Sequence, residues 1–156
     1  MTEPRLLLLD SASLYFRAFF GVPDQRDGGQ GPPTNAVRGF LDMIAMLVDR
    51  NRPSHLAACW DNDWRPAFRV DAIPSYKTHR VADFGTPGVS PAAEIVPDEL
   101  APQVPLIESA LSALGLARVG ADGYEADDVI GALAHRYRGQ LPVDVVTGDR
   151  DLFQLV

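Results

Sequence analysis

Three apolar segments of the chain each end at an acidic residue. The first ends at Asp10, the second at Asp61 and the third at Asp149. Short, nearly uninterrupted apolar segments are typical of strands that are buried on both faces of a parallel sheet. The carboxyl ends of such strands meet at one edge of an open α/β sheet, where these sheets bind ligands. We therefore predict three strands with their acids at a shared edge, over residues 5–10, 55–61 and 142–149.

Helical periodicity appears in two of the segments between these strands. Apolar residues recur every three or four positions over residues 36–51, and Thr34 is placed to cap that helix. A second helix is predicted over residues 98–114, where Pro102 and Pro105 should kink or delay the regular part. Both helices are long enough to cover a sheet face.

The remaining segments are shorter or less regular. Residues 14–20 are aromatic with one cation and predict a core-packing helix or turn, and residues 116–119 predict a short strand. Glycine and proline make residues 21–33 a loop and residues 81–97 a mobile connection. Strands that alternate with helices predict an α/β fold with a central, mostly parallel sheet flanked by helices.

The densest group of acids lies in the sequence GYEADDVIG of residues 123–131. Glu125, Asp127 and Asp128 precede an apolar stripe that predicts an amphipathic helix, so the acids fall in its first turn. The helix dipole favours acids there, and capping alone would explain one or two of them. Three acids this close raise one another's pKa unless a cation compensates. The motif therefore fits two interpretations, a helix cap and part of a cation site.

Composition is that of a soluble globular protein of one domain. Of 156 residues, 46% are hydrophobic and 22% charged, which is enough to bury a core. Cys59 is the single cysteine, and we find neither a secretory signal nor an apolar run of membrane-spanning length. We expect a cytoplasmic, nucleoid-associated protein. The net charge of −7 argues against nonspecific phosphate binding by the whole surface, but not against a basic patch beside a metal site.

Carboxylates at the sheet edge and at the helix start, joined by Asp151, can meet in one site. A carboxylate set without histidine or cysteine selects a hard cation, Mg²⁺ or Mn²⁺ rather than zinc. Two such ions about 3.5–4 Å apart would activate a water and clamp the phosphoryl oxygens. The predicted reaction is metal-assisted phosphodiester hydrolysis. The candidate metal ligands are Asp10, Asp61, Glu125, Asp127, Asp128, Asp149 and Asp151.

Basic residues cluster after the second predicted strand, in residues 62–80. A solvated loop is one interpretation of this polar segment, and a phosphate-facing segment is the other, which the clustering favours. We expect Arg69 to bind substrate. Lys77 and Arg80, with Arg17 from the aromatic segment, would offset the charge that develops on the phosphate.

Short motifs along nearly the whole chain occur in the order of one known family. They are LDS at 9–11, RAF at 17–19, PTNAVRGF at 33–40, WD at 60–61, FR at 68–69, YKTHR at 76–80, PDEL at 97–100 with Gln103, GYEADD at 123–128 and TGDRDLFQL at 147–155. Any one of these motifs would be a weak signal. The ordered set resembles the bacterial 5′-3′ exonuclease (flap endonuclease) family, which also supplies the N-terminal domain of DNA polymerase I.

The resemblance implies a PIN-like nuclease domain that cleaves 5′ flaps and 5′ ends of branched DNA, and possibly RNA–DNA hybrids, with two Mg²⁺ or Mn²⁺ ions. The seven acids would then hold the metals. Lys77 and Arg80, at the foot of the family's helical arch, would contact the scissile phosphate, with Arg17 as a weaker candidate. Tyr15 or Phe20 would stack on a frayed base, as aromatic side chains do with single strands.

The chain departs from the family pattern in two respects. The family continues with a further strand, another aspartate pair and a helix-hairpin-helix element, so residues 1–156 are expected to be a fragment with weak or no activity. The arch region, residues 81–97, carries Asp83 and Glu94 but no lysine or arginine, so the arch is expected to be short, or disordered without DNA. The alternative function is a non-catalytic DNA-structure-binding module or scaffold that keeps the fold.

Overall fold

A four-stranded parallel sheet lies at the centre of the computed structural model, which describes residues 3–26, 31–82 and 93–155. The strand order is β3-β2-β1-β4, and all three neighbouring pairs are parallel. This confirms the α/β class and the parallel sheet predicted from the apolar segments. The strands are β1 (Leu6–Asp10), β2 (His55–Trp60), β3 (Ala117–Gly120) and β4 (Val143–Val146).

Five α-helices and two 3₁₀ segments accompany the sheet in the described ranges. The helix predicted to start at residue 98 begins at Gln103. Pro102 directly precedes it, so the proline delays the start of the regular helix as expected. No helix in these ranges is long and apolar enough to cross a bilayer. The helices are α1 (Ser11–Gly21), α2 (Asn35–Asn51), α3 (Ala67–Ala72), α4 (Gln103–Ala113) and α5 (Ala126–Tyr137), and the 3₁₀ segments are Thr78–Arg80 and Arg150–Leu155.

Strand β1 separates two apolar cores. Leu7 and Leu9 pack in one core with residues of α1, α2 and α4, while Leu6 and Leu8 pack in the other with residues of α5. Successive side chains of a strand point to opposite faces of its sheet, so a strand covered on both sides must be apolar at every position. The continuous apolar sequence of β1 follows from this double coverage.

The N-terminus of α2 is capped by another helix. Thr34, predicted as the cap, makes no side-chain hydrogen bond to the helix. Instead the Gln103 Oε1 atom, fully buried at the start of α4, accepts hydrogen bonds from the Ala36 N–H at 2.8 Å and the Val37 N–H at 3.3 Å. Gln103 Nε2 also donates to Asn35 Oδ1 at 2.9 Å. Thr34 occupies the N-cap position as predicted, but a side chain 67 positions from Ala36 satisfies these N–H groups in place of the Thr34 hydroxyl.

The segment predicted as a mobile connection, residues 81–97, lies largely outside the described residues. Its two ends are described and pair with each other, through an antiparallel bridge between Val81 and Glu94. The Ala82 N–H donates to the Ala93 carbonyl at 2.9 Å. The two ends of this segment therefore lie side by side, next to the 3₁₀ segment that carries Arg80.

Candidate active-site cleft

One cleft at the carboxyl edge of the sheet is lined by all seven predicted acids. Parallel pairing sets Asp10 at the end of β1 opposite Cys59 of β2, and Asp61 follows β2 directly. Asp149 follows β4, and Glu125 precedes α5. The cleft has a volume of about 1260 Å³, larger than the roughly 300–1,000 Å³ of most small-molecule sites. The acids in its walls are Asp10, Asp61, Glu125, Asp127, Asp128, Asp149 and Asp151.

Asp10 is buried between the start of α1 and the loop after β4. Its Oδ1 accepts a hydrogen bond from the Ser13 N–H at 3.2 Å, which caps α1, and its Oδ2 accepts one from the Thr147 hydroxyl at 2.7 Å. Burial raises the pKa of Asp10 above its ordinary range, although both hydrogen bonds oppose the shift. These contacts hold the carboxylate in a defined direction at the floor of the cleft.

Asp61 joins the end of β2 to the start of α5. Its Oδ1 accepts a hydrogen bond from the Ala126 N–H at 2.6 Å, one of the first-turn N–H groups that lack a partner inside a helix. Burial raises the pKa of Asp61, while this hydrogen bond and the nearby Lys77 lower it. The strand-end acid therefore also fixes the position of the acidic helix.

Glu125 is 2% exposed and is held by two side chains of residues 62–80. The Tyr76 hydroxyl lies 3.0 and 2.9 Å from the two carboxylate oxygens of Glu125. Lys77 Nζ lies 3.0 Å from Glu125 Oε1, and it donates to the Trp64 carbonyl at 3.0 Å. Burial, and then the hydrogen bond to Glu125, raise the pKa of Tyr76. Residues 62–80 are thus folded onto the acids and are not a solvated loop.

Asp128 both caps α5 and binds a cation of the protein itself. Its Oδ2 accepts a hydrogen bond from the Glu125 N–H at 3.1 Å, and its Oδ1 accepts one from Arg69 Nη2 at 2.6 Å. The capping interpretation of this motif therefore holds for Asp128. Asp127 serves no such role. Burial raises its pKa to about 7, with further contributions from Asp10 and other acids of the cleft.

Hydrogen bonds fold the loop after β4 back toward the cleft. The Thr147 hydroxyl accepts from the Asp149 N–H at 2.9 Å, and Asp149 Oδ1 accepts from the Asp151 N–H at 2.9 Å. The Gly148 N–H donates to Ser13 Oγ at 2.8 Å. A Cβ atom at Gly148 would lie only 2.7 Å from that oxygen, so a larger residue would have to displace the Ser13 hydroxyl.

Three of the four predicted cations lie in the cleft walls. Lys77 and Arg69 contact the acids as described, and Arg80 forms an ion pair with Glu94. Arg17 is exposed on α1 and does not line the cleft. Contact of these residues with a phosphate stays a prediction.

The two aromatic residues predicted to stack on a base lie outside the cleft walls. Tyr15 is partly buried against the core, with its ring centroid 5.4 Å from that of Phe16 and 5.8 Å from that of Trp60. Phe20 is 74% exposed near the end of α1 and packs edge-on against Phe19. Stacking by either residue stays a prediction, and Phe20 is the more accessible of the two.

The donor set of the cleft suits a hard divalent cation, because every candidate ligand is a carboxylate. Within residues 3–26, 31–82 and 93–155, however, no three acidic, histidine or cysteine side chains stand close enough to form a cation-binding group. Lys77 and Arg69 instead neutralise Glu125 and Asp128. A cation bound at these two acids would compete with the lysine and the arginine.

Sequence reasoning missed three residues that position the acids, namely Ser13, Tyr76 and Thr147. Each acts through a hydroxyl group on a partner distant in sequence, and Thr147 and Asp10 are 137 positions apart. Thr147 and Tyr76 lie within the motifs TGDRDLFQL and YKTHR. For Thr147 the available signal was a hydroxyl residue in an acidic motif at a strand end.

Comparisons with known proteins agree on one family. The profile described as 5′-3′ exonuclease, N-terminal resolvase-like domain, matches residues 5–156. A 5′-3′ exonuclease of Streptomyces coelicolor is 63% identical over 150 residues, which is 96% of this chain and 48% of the relative. A 5′-3′ exonuclease of Mycobacterium tuberculosis is 57% identical over 97% of this chain and 47% of its own length. DNA polymerase I of the same species is 39% identical over 99% of this chain and 16% of the polymerase.

Solved structures share the fold. The T5 5′-exonuclease with bound zinc ions superposes with a TM-score of 0.64 at 15% identity, over 97% of this chain and 52% of that protein. The bacteriophage T5 flap endonuclease, in a complex with DNA and metal ions, gives a TM-score of 0.59 at 15% identity, over 95% and 50%. The chain therefore spans about half the length of these 5′-3′ exonucleases and T5 nucleases, and less of DNA polymerase I.

Proposed function

The chain belongs to the 5′-3′ exonuclease family, N-terminal resolvase-like domain, and we propose that it is the nuclease domain of a structure-specific 5′ nuclease. Its substrates would be 5′ flaps and 5′ ends of branched DNA, in replication and repair. The observation that carries the proposal is the convergence of seven carboxylates on one cleft, whose walls also carry the four cations Arg69, Lys77, Arg80 and Arg150. The DNA and metal ions bound by the T5 flap endonuclease support it.

The seven carboxylates are the proposed ligands of two Mg²⁺ or Mn²⁺ ions. When bound, such ions supply Lewis-acid polarisation of the phosphodiester and lower the pKa of an attacking water. The protein's part is to hold its carboxylates in place. Tyr76 fixes Glu125, Thr147 fixes Asp10, and the Ala126 N–H fixes Asp61.

The cations of the cleft are the proposed contacts of the DNA phosphate. Lys77, Arg69 and Arg80 each pair with an acid in this state. Because these cations line the same cleft, a phosphate that enters it could replace the acids as their partner after only a short movement of each side chain. Their positive charge would stabilise the negative charge of the phosphoryl oxygens in the transition state. Arg17, exposed on α1, would contact DNA outside the cleft.

We propose that cleavage by this 156-residue chain alone is weak. The chain covers 48% of its Streptomyces relative, and its net charge of −7 opposes DNA binding by the rest of its surface. A nucleoid-associated location and activity on RNA–DNA hybrids belong to the same proposal.

A non-catalytic DNA-structure-binding module is the second candidate. It is favoured by the pairing of Glu125 with Lys77 and of Asp128 with Arg69, and by the absence of a grouped cation site within the described ranges. In this function the same cleft would bind DNA without cutting it. The candidate metal ligands in the walls are all carboxylates, which favours the nuclease.

Cleavage of a fluorescent 5′-flap substrate in Mn²⁺ tests the choice between the two functions. We expect slow, EDTA-sensitive cleavage by the chain, with the Streptomyces 5′-3′ exonuclease as positive control. A double variant, Asp149→Asn with Asp151→Asn, should be inactive, whereas Asp42→Asn, an exposed acid on α2, should cleave like the parent. Binding of the flap without cleavage at any Mn²⁺ concentration would instead support the non-catalytic module.

A further inference from the structure

Two exposed aromatic rings lie together beside the cleft. Phe68 of α3 and Tyr124, in the turn before α5, are each 48% exposed. Their ring centroids are 5.7 Å apart, and their planes are inclined by 46°. The two rings come from segments far apart in the sequence, so the fold itself brings them together.

The position of this aromatic pair ties it to the cleft. Arg69 follows Phe68 and Glu125 follows Tyr124, and both of these neighbours line the cleft. Tyr124 is also held by its backbone, because its carbonyl accepts a hydrogen bond from the Asp63 N–H at 3.2 Å. The pair therefore lies at the rim of the cleft on an anchored backbone.

A cation adjoins the aromatic pair. The Arg69 guanidinium lies 5.4 Å from the centroid of the Phe68 ring and is held by Asp128 at 2.6 Å. A guanidinium over a ring face is an attractive contact that restricts the ring. Aromatic surface beside an arginine is the combination that binds single-stranded nucleic acid, in which rings stack on bases and cations meet the backbone.

We propose that Phe68 and Tyr124 form a stacking platform for an unpaired nucleobase of the DNA substrate. This proposal rests on the proposed function, because it takes the cleft to hold DNA. It assigns base stacking to the rim formed by α3 and α5, in addition to the role predicted for Phe20 on α1. The small area of two rings suits one base or two, whereas a docking partner protein buries far more surface.

Binding of DNAs that each lack a single base tests the platform directly. A labelled duplex with a 5′ single-stranded overhang is titrated by fluorescence anisotropy without divalent ions, so that the strand stays intact. In a series of such DNAs, an abasic nucleotide occupies each overhang position in turn. We expect the parent to lose about 5- to 20-fold in affinity when one or two adjacent positions are abasic, as stacking on an aromatic platform implies.

Variants of the pair should remove this position dependence. The double variant Phe68→Ala with Tyr124→Ala should bind the intact DNA about as weakly as the parent binds the abasic one, with no further loss at that position. Tyr124→Phe should keep the parent profile. Leu114→Ala, at an exposed apolar side chain on the C-terminal side of α4, is the control and should also keep it. Thermal unfolding checks that all the variants fold.

Two DNA-binding results would overturn the platform. One is an abasic series in which the parent shows no position dependence, whether or not it binds DNA. The other is a double variant that keeps the position dependence of DNA affinity. A double variant that changes only self-association in gel filtration would likewise overturn the platform, because it would mark a contact with protein. Flap cleavage in Mn²⁺ separates the two proposals. Cleavage with a flat abasic profile removes the platform alone, and a position-dependent profile without cleavage removes the nuclease alone.

Discussion

The Thr147 hydroxyl donates a 2.7 Å hydrogen bond to Asp10 Oδ2 and so joins the loop after β4 to the end of β1 across 137 positions of the chain. Asp10 is 5% exposed, so water cannot easily replace this partner. The same hydroxyl accepts from the Asp149 N–H at 2.9 Å. One side chain therefore orients an acid at one strand end and the backbone of a second acid at another.

Replacing Thr147 by valine tests this coupling. Valine keeps the shape of threonine but leaves Asp10 without its strongest donor, and we expect a loss of about 1–2 kcal/mol in the free energy of unfolding. Urea denaturation measures the loss, and Thr147→Ser, which keeps the hydroxyl, should recover most of it. Equal stability of Thr147→Val and the parent would contradict the role given to this bond.

Asp127 should make the folded state less stable as the pH rises. Its pKa is raised from the ordinary value of 3.8 to about 7 in the folded protein. Between these values the folded protein holds a proton that the unfolded chain has lost, so this group lowers the free energy of unfolding from about pH 4 to about pH 7. Asp127→Asn should therefore be more stable than the parent at pH 8, by about 1 kcal/mol after allowance for solvent screening.

The control for Asp127 is Asp42→Asn on α2. Asp42 is exposed outside the cleft, so its stability difference from the parent should be the same at pH 4 and pH 8. The difference for Asp127→Asn should be close to zero at pH 4, grow between pH 4 and pH 7 and be complete at pH 8. A pH-independent effect of Asp127→Asn, measured by urea denaturation, would show that neither burial nor the other acids of the cleft raise the pKa of Asp127.

Gln103 should be one of the most sensitive polar positions for stability. It is fully buried, and its side chain satisfies the N–H groups of Ala36 and Val37 at the start of α2. Gln103→Ala would leave them without an acceptor and open a cavity, with an expected cost of about 2–4 kcal/mol. Urea denaturation measures this cost. Gln140→Ala, at an exposed glutamine, should stay within about 0.5 kcal/mol of the parent.

Tyr76→Phe should shift the Mn²⁺ dependence of cleavage to higher concentrations by removing the hydroxyl that positions Glu125. The Tyr76 hydroxyl lies 3.0 and 2.9 Å from the two oxygens of Glu125, and phenylalanine keeps the ring while removing this contact. If Glu125 binds metal, loss of such an orienting partner typically costs about 10–100-fold in metal affinity or activity. The Mn²⁺ dependence of flap cleavage measures the effect. An unchanged Mn²⁺ dependence would show that the hydroxyl does not position the acid for metal binding.

The sheet and the acids could be predicted because local patterns encode them. β1 is apolar over Leu6–Leu9 because both faces are buried, and its last residue is the acid Asp10. The cap of α2 could not be predicted, because Gln103 reaches it from α4 and no local pattern marks that contact. The polar sequence of residues 62–80 is typical of a solvated loop, yet Tyr76 and Lys77 contact the buried carboxylate of Glu125, which is 48 or more positions away. Contacts between distant polar residues therefore account for what sequence patterns missed.

We propose above all that the carboxylates of the cleft bind divalent cations. Anomalous diffraction from a crystal soaked in Mn²⁺ tests it most directly, because it locates manganese and identifies its ligands. We predict manganese in the cleft, coordinated by carboxylates that include Asp10, with Lys77 displaced from any acid that becomes a ligand. Manganese absent from the cleft, with Lys77 still paired to Glu125 and Arg69 to Asp128, would contradict the claim.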